Sequence, residues 1–252
     1  MRLDDPSVIP RYYVVAESAH ALQNPTSKEK LLLLGERLGL DPGSRVLDVA
    51  SGRGGPALIL AEAFGCRVDG IEIEPAFHAV ALQRAADAGL SERLSFGLGD
   101  GARATFEPDA YDAALCLGAS FVFGTLADTV DALAPAVRKG GHVAVGEPFW
   151  RSLPLPDDYE ERDGPWTSLE GTVVAFETSG LSVVSVIASS EDDWDRYETL
   201  HWQAVESWLD ANPHDADAPE IRSRQERHKR NYLRHGRDSL GWAIFVGRKR
   251  TP

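Results

Sequence analysis

The chain has 252 residues, 43% of them hydrophobic and 26% charged, with 39 acidic against 26 basic side chains and a formal charge of −13. That length and balance suffice for a buried core without staples and exclude a disordered chain, while the acidic excess opposes non-specific nucleic-acid binding, which depends on basic contacts to phosphate. No apolar run approaches the roughly 20 residues that cross a bilayer, the opening Met1-Arg2-Leu3-Asp4-Asp5 lacks an apolar signal core, and the isolated Cys66 and Cys116 build neither a disulfide framework nor a cysteine zinc site. A soluble protein of the reducing cytoplasm, with no membrane or nucleic-acid partner, is expected.

Residues 11–25 read as an irregular polar and aromatic segment, and Thr26-Ser27-Lys28-Glu29 resembles a capping box opening a helix through 31–38. From 45 to 147, short apolar runs alternate with helical patterns, the signature of repeated βαβ units. Strands are predicted at 45–49, 67–71, 93–98, 111–117 and 142–146, and helices at 56–64, 75–88 and 126–138. Pro56 and Pro75 suit a first helical turn, and Gly89 and Gly140 suit C-terminal stops. A Pro-rich connection follows, then a helix near 165–178, a strand at 181–188, helices at 192–210 and 218–234, and a closing strand at 241–248. All six Trp lie after residue 149, so the two parts of the chain are built differently.

The sharpest local feature is a strand running into a glycine loop and then a helix, Asp48-Val49-Ala50-Ser51-Gly52-Arg53-Gly54-Gly55-Pro56-Ala57. Gly52 and Gly54 allow positive φ and close backbone approach to a ligand, and the free amides of the following helix start favour a negative group. Read literally, Gly52-x-Gly54-x-x-Ala57 satisfies a dinucleotide fingerprint, with Glu72 placed 20 residues after Gly52 to hold a ribose. Asp48 separates the readings: its charge repels a pyrophosphate but suits an ammonium or sulfonium group. Asp100, in Gly99-Asp100-Gly101-Ala102, is positioned to accept from an adenine amino group.

Together these residues resemble the class I S-adenosylmethionine-dependent methyltransferases, with Ala50 where glycine is usual. Beyond the core, Glu17-Ser18-x-His20-x-x-x-Asn24-Pro25, Gly146-Glu147-Pro148-x-Trp150-Arg151 and Asp193-Trp194-Asp195-Arg196-Tyr197-Glu198 look like a bacterial small-molecule methyltransferase subgroup of mostly unassigned substrate. The resemblance implies a doubly wound, Rossmann-like α/β fold: a seven-stranded mixed sheet, last strand antiparallel, with a helical insertion before it. One domain in three parts is expected, an N-terminal lid and helix (1–44), a cofactor-binding core (45–147) and a substrate cap with the final strands (148–252). The implied cofactor is S-adenosyl-L-methionine, leaving as S-adenosyl-L-homocysteine, on a site of Asp48, Ala50, Ser51, Gly52, Gly54, Glu72, Ile73, Asp100, Gly101, Leu117, Gly118 and Ala119. The implied reaction is in-line methyl transfer to an N, O or S nucleophile of a small-molecule acceptor.

Ligands of open α/β sheets bind beyond the carboxyl ends of the strands, which here carry Phe121 and Glu147 to Arg151. Glu147 and His20 are the candidate catalytic residues, each with a plain structural alternative. Phe121, Trp150, Arg151, Trp194, Tyr197 and His201 are candidate acceptor walls; the last three share one face of a helix, a stripe that equally suits packing. No His/Asp/Glu cluster stands at ligand spacing, so no metal is expected. Between residues 222 and 237, seven basic side chains oppose only Glu226, reading either as a solvated helix or as a surface that attracts an anionic acceptor. A nicotinamide-dependent oxidoreductase and a catalytically inactive cofactor-binding regulator remain as alternatives, and the oligomeric state is open.

Overall fold

A computed structural model describes residues 9–250; the opening residues read for a signal core lie outside that range. Seven strands, β1 (Arg45–Val49), β2 (Arg67–Glu72), β3 (Leu94–Leu98), β4 (Tyr111–Leu117), β5 (Val137–Trp150), β6 (Leu181–Ala188) and β7 (Leu240–Lys249), form one sheet in the order β3-β2-β1-β4-β5-β7-β6. The first five run parallel, and β7 is antiparallel to both β5 and β6. The chain therefore forms the seven-stranded mixed sheet with an antiparallel last strand that its motifs predict. Its central members are apolar along almost their whole length because they are covered on both faces, as parallel strands require. Strand order reverses between β1 and β4, and in such sheets the crevice for a ligand opens at that point.

The helices of more than one turn are α1 (Arg11–Ala16), α2 (Lys28–Leu38), α3 (Gly55–Phe64), α4 (Pro75–Asp87), α5 (Leu126–Leu133), α6 (Leu169–Thr178), α7 (Glu191–Ala211) and α8 (Ala218–Asn231). One apolar layer packs α2, α3 and α4 on the sheet through Leu31, Leu34, Leu60 and Ala81. The other packs α5 and α6 through Val130, Leu133 and Phe176. A third cluster joins Tyr12, Val15 and Ala16 of α1 to Val205 and Leu209 of α7 and Ile221 of α8, so the N-terminal segment and the late helices form one body.

Several boundaries differ from the predicted ones. The segment read as irregular opens with α1 and a 3-10 turn, Glu17–Ala19. Ser27, not Thr26, caps α2, accepting the Lys30 amide, so the box at Thr26 does not form; reciprocal boxes occur instead at Thr125 and Ser190. The helix predicted over 126–138 stops at Leu133, because Pro135 lacks an amide and its ring opposes the preceding turn. β5 starts at Val137, directly after the 3-10 turn Ala134–Ala136, and runs past its predicted end to Trp150, a length of 14 residues. The helix predicted over 218–234 ends at Asn231 in a π turn, Tyr232–Gly236.

Candidate active site

Beyond the carboxyl ends of β1, β2 and β4 lies a cavity of about 490 Å³, walled by Asp48, Ala50, Ser51, Gly52, Glu72, Ile73, Leu117, Gly118, Ala119 and Phe121 from the core, with Tyr13, Glu17, Gln23 and Asn24 from the N-terminal segment and Tyr197 from α7. The glycine loop shapes one wall. Gly52 and Gly54 sit at φ 55° and 72°, the left-handed region where a side chain is strained, and a Cβ on Gly52 would fall 2.2 Å from Gln23 Oε1. Ala50 takes φ 57° despite its methyl, which explains why glycine is usual there and places a cost of about 1–2 kcal/mol in the loop.

Two carboxylates organise the polar end. Glu72, at the tip of β2, accepts the Gly52 amide at 2.7 Å through Oε2 and the Glu74 amide at 2.8 Å through Oε1. Burial pushes this carboxyl up, and those amides hold it down. Asp48 is buried and its Oδ2 has no hydrogen-bond partner among the described residues. Burial first and the charge of Glu72 second push Asp48 up to about 7. Ser51 Oγ is likewise buried without a partner. Buried polar atoms left this way cost free energy unless something meets them. A ligand bearing hydroxyls and a positive group would satisfy them, so the chemistry of the wall fits S-adenosylmethionine.

The N-terminal segment closes the cavity by specific bonds. Asn24 Nδ2 donates to the Leu117 carbonyl at 2.9 Å, the Arg53 amide donates to Gln23 Oε1 at 2.6 Å, and the Arg53 guanidinium reaches the Glu17 and Ser18 carbonyls. Gly118, at φ 79°, leaves the space that Asn24 fills: a Cβ there would lie 1.9 Å from Asn24 Oδ1.

The remaining predicted residues divide. Gly54 caps α3 and packs against Ala81 and Phe96 rather than facing the cavity. Asp100 caps the 3-10 turn beginning at Gly101, accepting the Ala102 amide at 2.9 Å, and neither residue is part of the cavity wall. Phe121 and Tyr197 line it, Phe121 largely exposed at its mouth. Trp150 does not; it is buried edge-on against Tyr159 and Trp166. Arg151 donates to the Leu240 carbonyl, and Trp194 packs on Tyr232. Glu147 is pushed up by burial and accepts from Ser120 Oγ at 2.6 Å, behind the wall formed by Ala119 and Phe121.

His20 lies behind Glu17 and Tyr197 rather than in the cavity, with burial holding its imidazole below the usual titration range. Its Nε2 sits 2.9 Å from the Tyr197 carbonyl, while Glu17 Oε1 accepts from the Tyr197 hydroxyl at 2.9 Å and stands 3.0 Å from His201 Nε2. Sequence spacing shows no ligand cluster; the fold gathers Glu17, His20 and His201 from opposite ends of the chain, with ligand atoms all within 4.8 Å of one another. Glu17 and Asn24 belong to the N-terminal motif of the sequence but were not among the predicted site residues; Tyr13 and Gln23 had no sequence signal. Three of the seven basic side chains of that segment are paired within the fold, Arg234 with Asp158, Arg237 with Asp195 and Glu191, and Lys229 over Trp202. Arg224 alone among these reaches a cavity residue, lying on the Tyr13 ring.

Comparison with known proteins agrees with this geometry. A family described as "Methyltransferase domain" matches residues 46–141. YjhP of Escherichia coli K12, described as an uncharacterized protein, is 35% identical over 94% of this chain and 98% of its own length. The crystal structure of a SAM-dependent methyltransferase from Geobacter sulfurreducens, in complex with S-adenosyl-L-homocysteine, is 36% identical, covers 96% of this chain and 99% of that one, and superposes with a TM-score of 0.90. Sterol 24-C-methyltransferase ERG6B of Gibberella zeae is 30% identical over 51% of this chain and 34% of its own length.

Proposed function

The chain belongs to the S-adenosylmethionine-dependent methyltransferases, and from that premise we propose that it methylates an N, O or S nucleophile of a small-molecule acceptor by in-line displacement. The observation that supports this most directly is the cavity itself, whose single wall combines the carboxylates Asp48 and Glu72 with the aromatic groups Tyr13, Phe121 and Tyr197. Bound S-adenosylmethionine supplies an activated methyl whose bond to sulfur breaks, with its electron pair, as the acceptor's bond to carbon forms. The residues of the chain then have to hold, align and keep out water. Glu72 fixes the loop amide of Gly52 and offers acceptors to ribose hydroxyls; Asp48 meets the positive end; Leu117 to Ala119 wall the methionyl part. Alignment of this kind contributes about 7–11 kcal/mol to such reactions, so no dedicated base is required for an amine or thiolate acceptor. For a hydroxyl acceptor, the groups behind the wall, Glu147 with Ser120 and His20 with Glu17, are the candidate routes for the proton.

Support for an anionic acceptor is confined to Arg224 on Tyr13. Two buried free cysteines suit a reducing cytoplasm, and no helix among the described residues is long and apolar enough to cross a membrane. The nicotinamide reading is not favoured by these relatives and is opposed by the Asp48 charge. The test is calorimetry with S-adenosylmethionine followed by a metabolite panel assayed for S-adenosylhomocysteine release. Tight binding with turnover on one acceptor class is expected. Binding of NAD(H) in its place overturns the reading, and binding with no turnover across the panel gives the regulatory alternative.

A further inference from the structure

The cluster at the back of the cavity has an arrangement of lone pairs that its protein neighbours do not satisfy. The 3-10 turn Glu17–Ala19 places Glu17 and His20 three residues apart, and α7 places Tyr197 and His201 one turn apart on the face that packs on that turn. His20 Nε2 lies 2.9 Å from the Tyr197 carbonyl. A carbonyl can only accept, so Nε2 carries the hydrogen, and the other nitrogen of the neutral ring, Nδ1, presents a lone pair. That Nδ1 faces Glu17 Oε2 at 3.7 Å, beyond hydrogen-bond range, and both atoms are buried without a partner among the described residues. Two buried acceptors turned toward each other demand a positive or donating species between them.

We propose that Glu17, His20 and His201 form a binding site for one divalent first-row transition ion at the wall of the methyl-transfer cavity. Two imidazoles and a carboxylate suit zinc, iron(II), cobalt(II) or manganese(II) and are a poor set for calcium or magnesium, which take mostly oxygen. The spacing fits. Tetrahedral bonds of 2.0–2.1 Å separate donors by about 3.3 Å, and the two oxygens of the Glu17 carboxylate each face one imidazole, Oε1 3.0 Å from His201 Nε2 and Oε2 3.7 Å from His20 Nδ1, with one ligand atom from each of the three residues within 4.8 Å of the others. The supporting contacts are those that orient metal ligands elsewhere: the far nitrogen of His20 donates to a backbone carbonyl, and the Tyr197 hydroxyl donates to Glu17 Oε1. Once an ion takes its Nε2, His201 carries its proton on Nδ1. The Arg53 guanidinium, bound to the Glu17 and Ser18 carbonyls, works against a cation, and three direct ligands have to outweigh it. Three protein ligands leave coordination positions open, the pattern of sites that act on a bound group rather than serve the fold alone. Glu17 and Tyr197 both border the cavity, so, on the methyltransferase reading, an acceptor hydroxyl or thiol would bind on that side and lose its proton more readily.

The experiment uses the full chain, stripped with chelator and titrated with Zn²⁺ by calorimetry and with Co²⁺ by electronic absorption. One equivalent of each is expected, with zinc-edge X-ray absorption showing two imidazoles. His20→Gln and His201→Gln should each weaken zinc binding 100-fold or more, while His78→Gln, on α4 and bonded to Phe96, leaves it unchanged. Absence of stoichiometric binding by the wild-type chain overturns the site, as does zinc absorption lacking imidazole, which keeps the test decisive even if the histidine variants misfold. S-adenosylhomocysteine binding is measured on the same stripped protein, so failure of the metal site and failure of the methyltransferase reading are read separately.

Discussion

Glu72 and Gly52 stand 20 residues apart in the sequence and are joined by a 2.7 Å hydrogen bond from the loop amide to the carboxylate. The acid that ends β2 thus props the glycine loop that ends β1 before any ligand arrives, while its second oxygen holds the Glu74 amide. Glu72→Ala therefore has two expected effects. Cofactor affinity falls by roughly 100-fold, and the amides left bare cost about 1–3 kcal/mol of stability. Calorimetry and a thermal melt on the same preparation check both, and unchanged affinity for S-adenosylhomocysteine would remove Glu72 from the site.

Asp48 gives the site a pH dependence whose sign is fixed by its direction of shift. Its carboxyl is pushed from 3.8 up to about 7 in the ligand-free chain, so below neutrality it is protonated and offers no charge to a cationic ligand. Affinity for S-adenosylmethionine should rise about tenfold per unit of pH up to 7 and level off above it. Stability runs the opposite way. The folded chain holds a proton that the unfolded chain releases near 3.8, so the ligand-free fold loses stability as pH climbs through that window, by up to about 1.4 kcal/mol per unit. Asp48→Asn should remove the Asp48 share of both slopes, leaving weak binding with a much flatter pH dependence and a higher melting temperature at pH 8, while the stability slope contributed by Glu198, also pushed up to about 7 by burial, remains. A pH-independent affinity in the wild-type chain contradicts this assignment.

The cofactor half of the molecule was legible because its signals are local. A strand, two glycines at positive φ and an acid ending the next strand lie within 25 residues, from Asp48 to Glu72, and β-sheet register brings them together without help from the rest of the chain. The acceptor half was not. Trp194, Tyr197 and His201 share a helix face as their spacing requires, yet which of them meets the cavity depends on where α1 and the Glu17 turn dock, a contact between residues some 180 positions apart. Of the cluster Glu17, His20 and His201, the first two stand three residues apart, but the third comes from 184 positions away and only the docking of α7 brings it to Glu17. Length of β5 was missed because Gly140 reads as a helix stop, whereas the true stop is Pro135, five residues earlier.

Gly118 and Asn24 make a second, sterically defined joint between core and lid. The Asn24 amide reaches the Leu117 carbonyl only because Gly118 has no side chain, and its φ of 79° would strain any replacement. Gly118→Ala should displace Asn24, cost about 1–3 kcal/mol, and make the segment ahead of α2 exchange its amide hydrogens faster. Asn24→Ala relieves the clash but loses the hydrogen bond, so the double variant should be less destabilised than the sum of the singles. Hydrogen exchange and a double-mutant cycle measure this, and strict additivity would show that the two residues do not meet.

Phe121 and Trp150 were both read as acceptor walls from their place at strand tips, and the fold gives them opposite surroundings. Trp150 is 4% exposed between Tyr159 and Trp166, so Trp150→Ala should cost about 3–5 kcal/mol, the range for emptying a large aromatic site. Its effect on the KM for the acceptor should be small at temperatures where the variant stays folded. Phe121 is 73% exposed yet borders the cavity, so Phe121→Ala has little to lose in packing and should stay within about 0.5 kcal/mol of the wild type. Its loss should appear instead as a several-fold higher acceptor KM, with cofactor affinity changed less. Chemical denaturation paired with steady-state kinetics separates the two residues. A Phe121 variant with unaltered acceptor kinetics would move the acceptor away from the mouth of the cavity and toward the other aromatic groups on its wall, Tyr13, Phe77 and Tyr197.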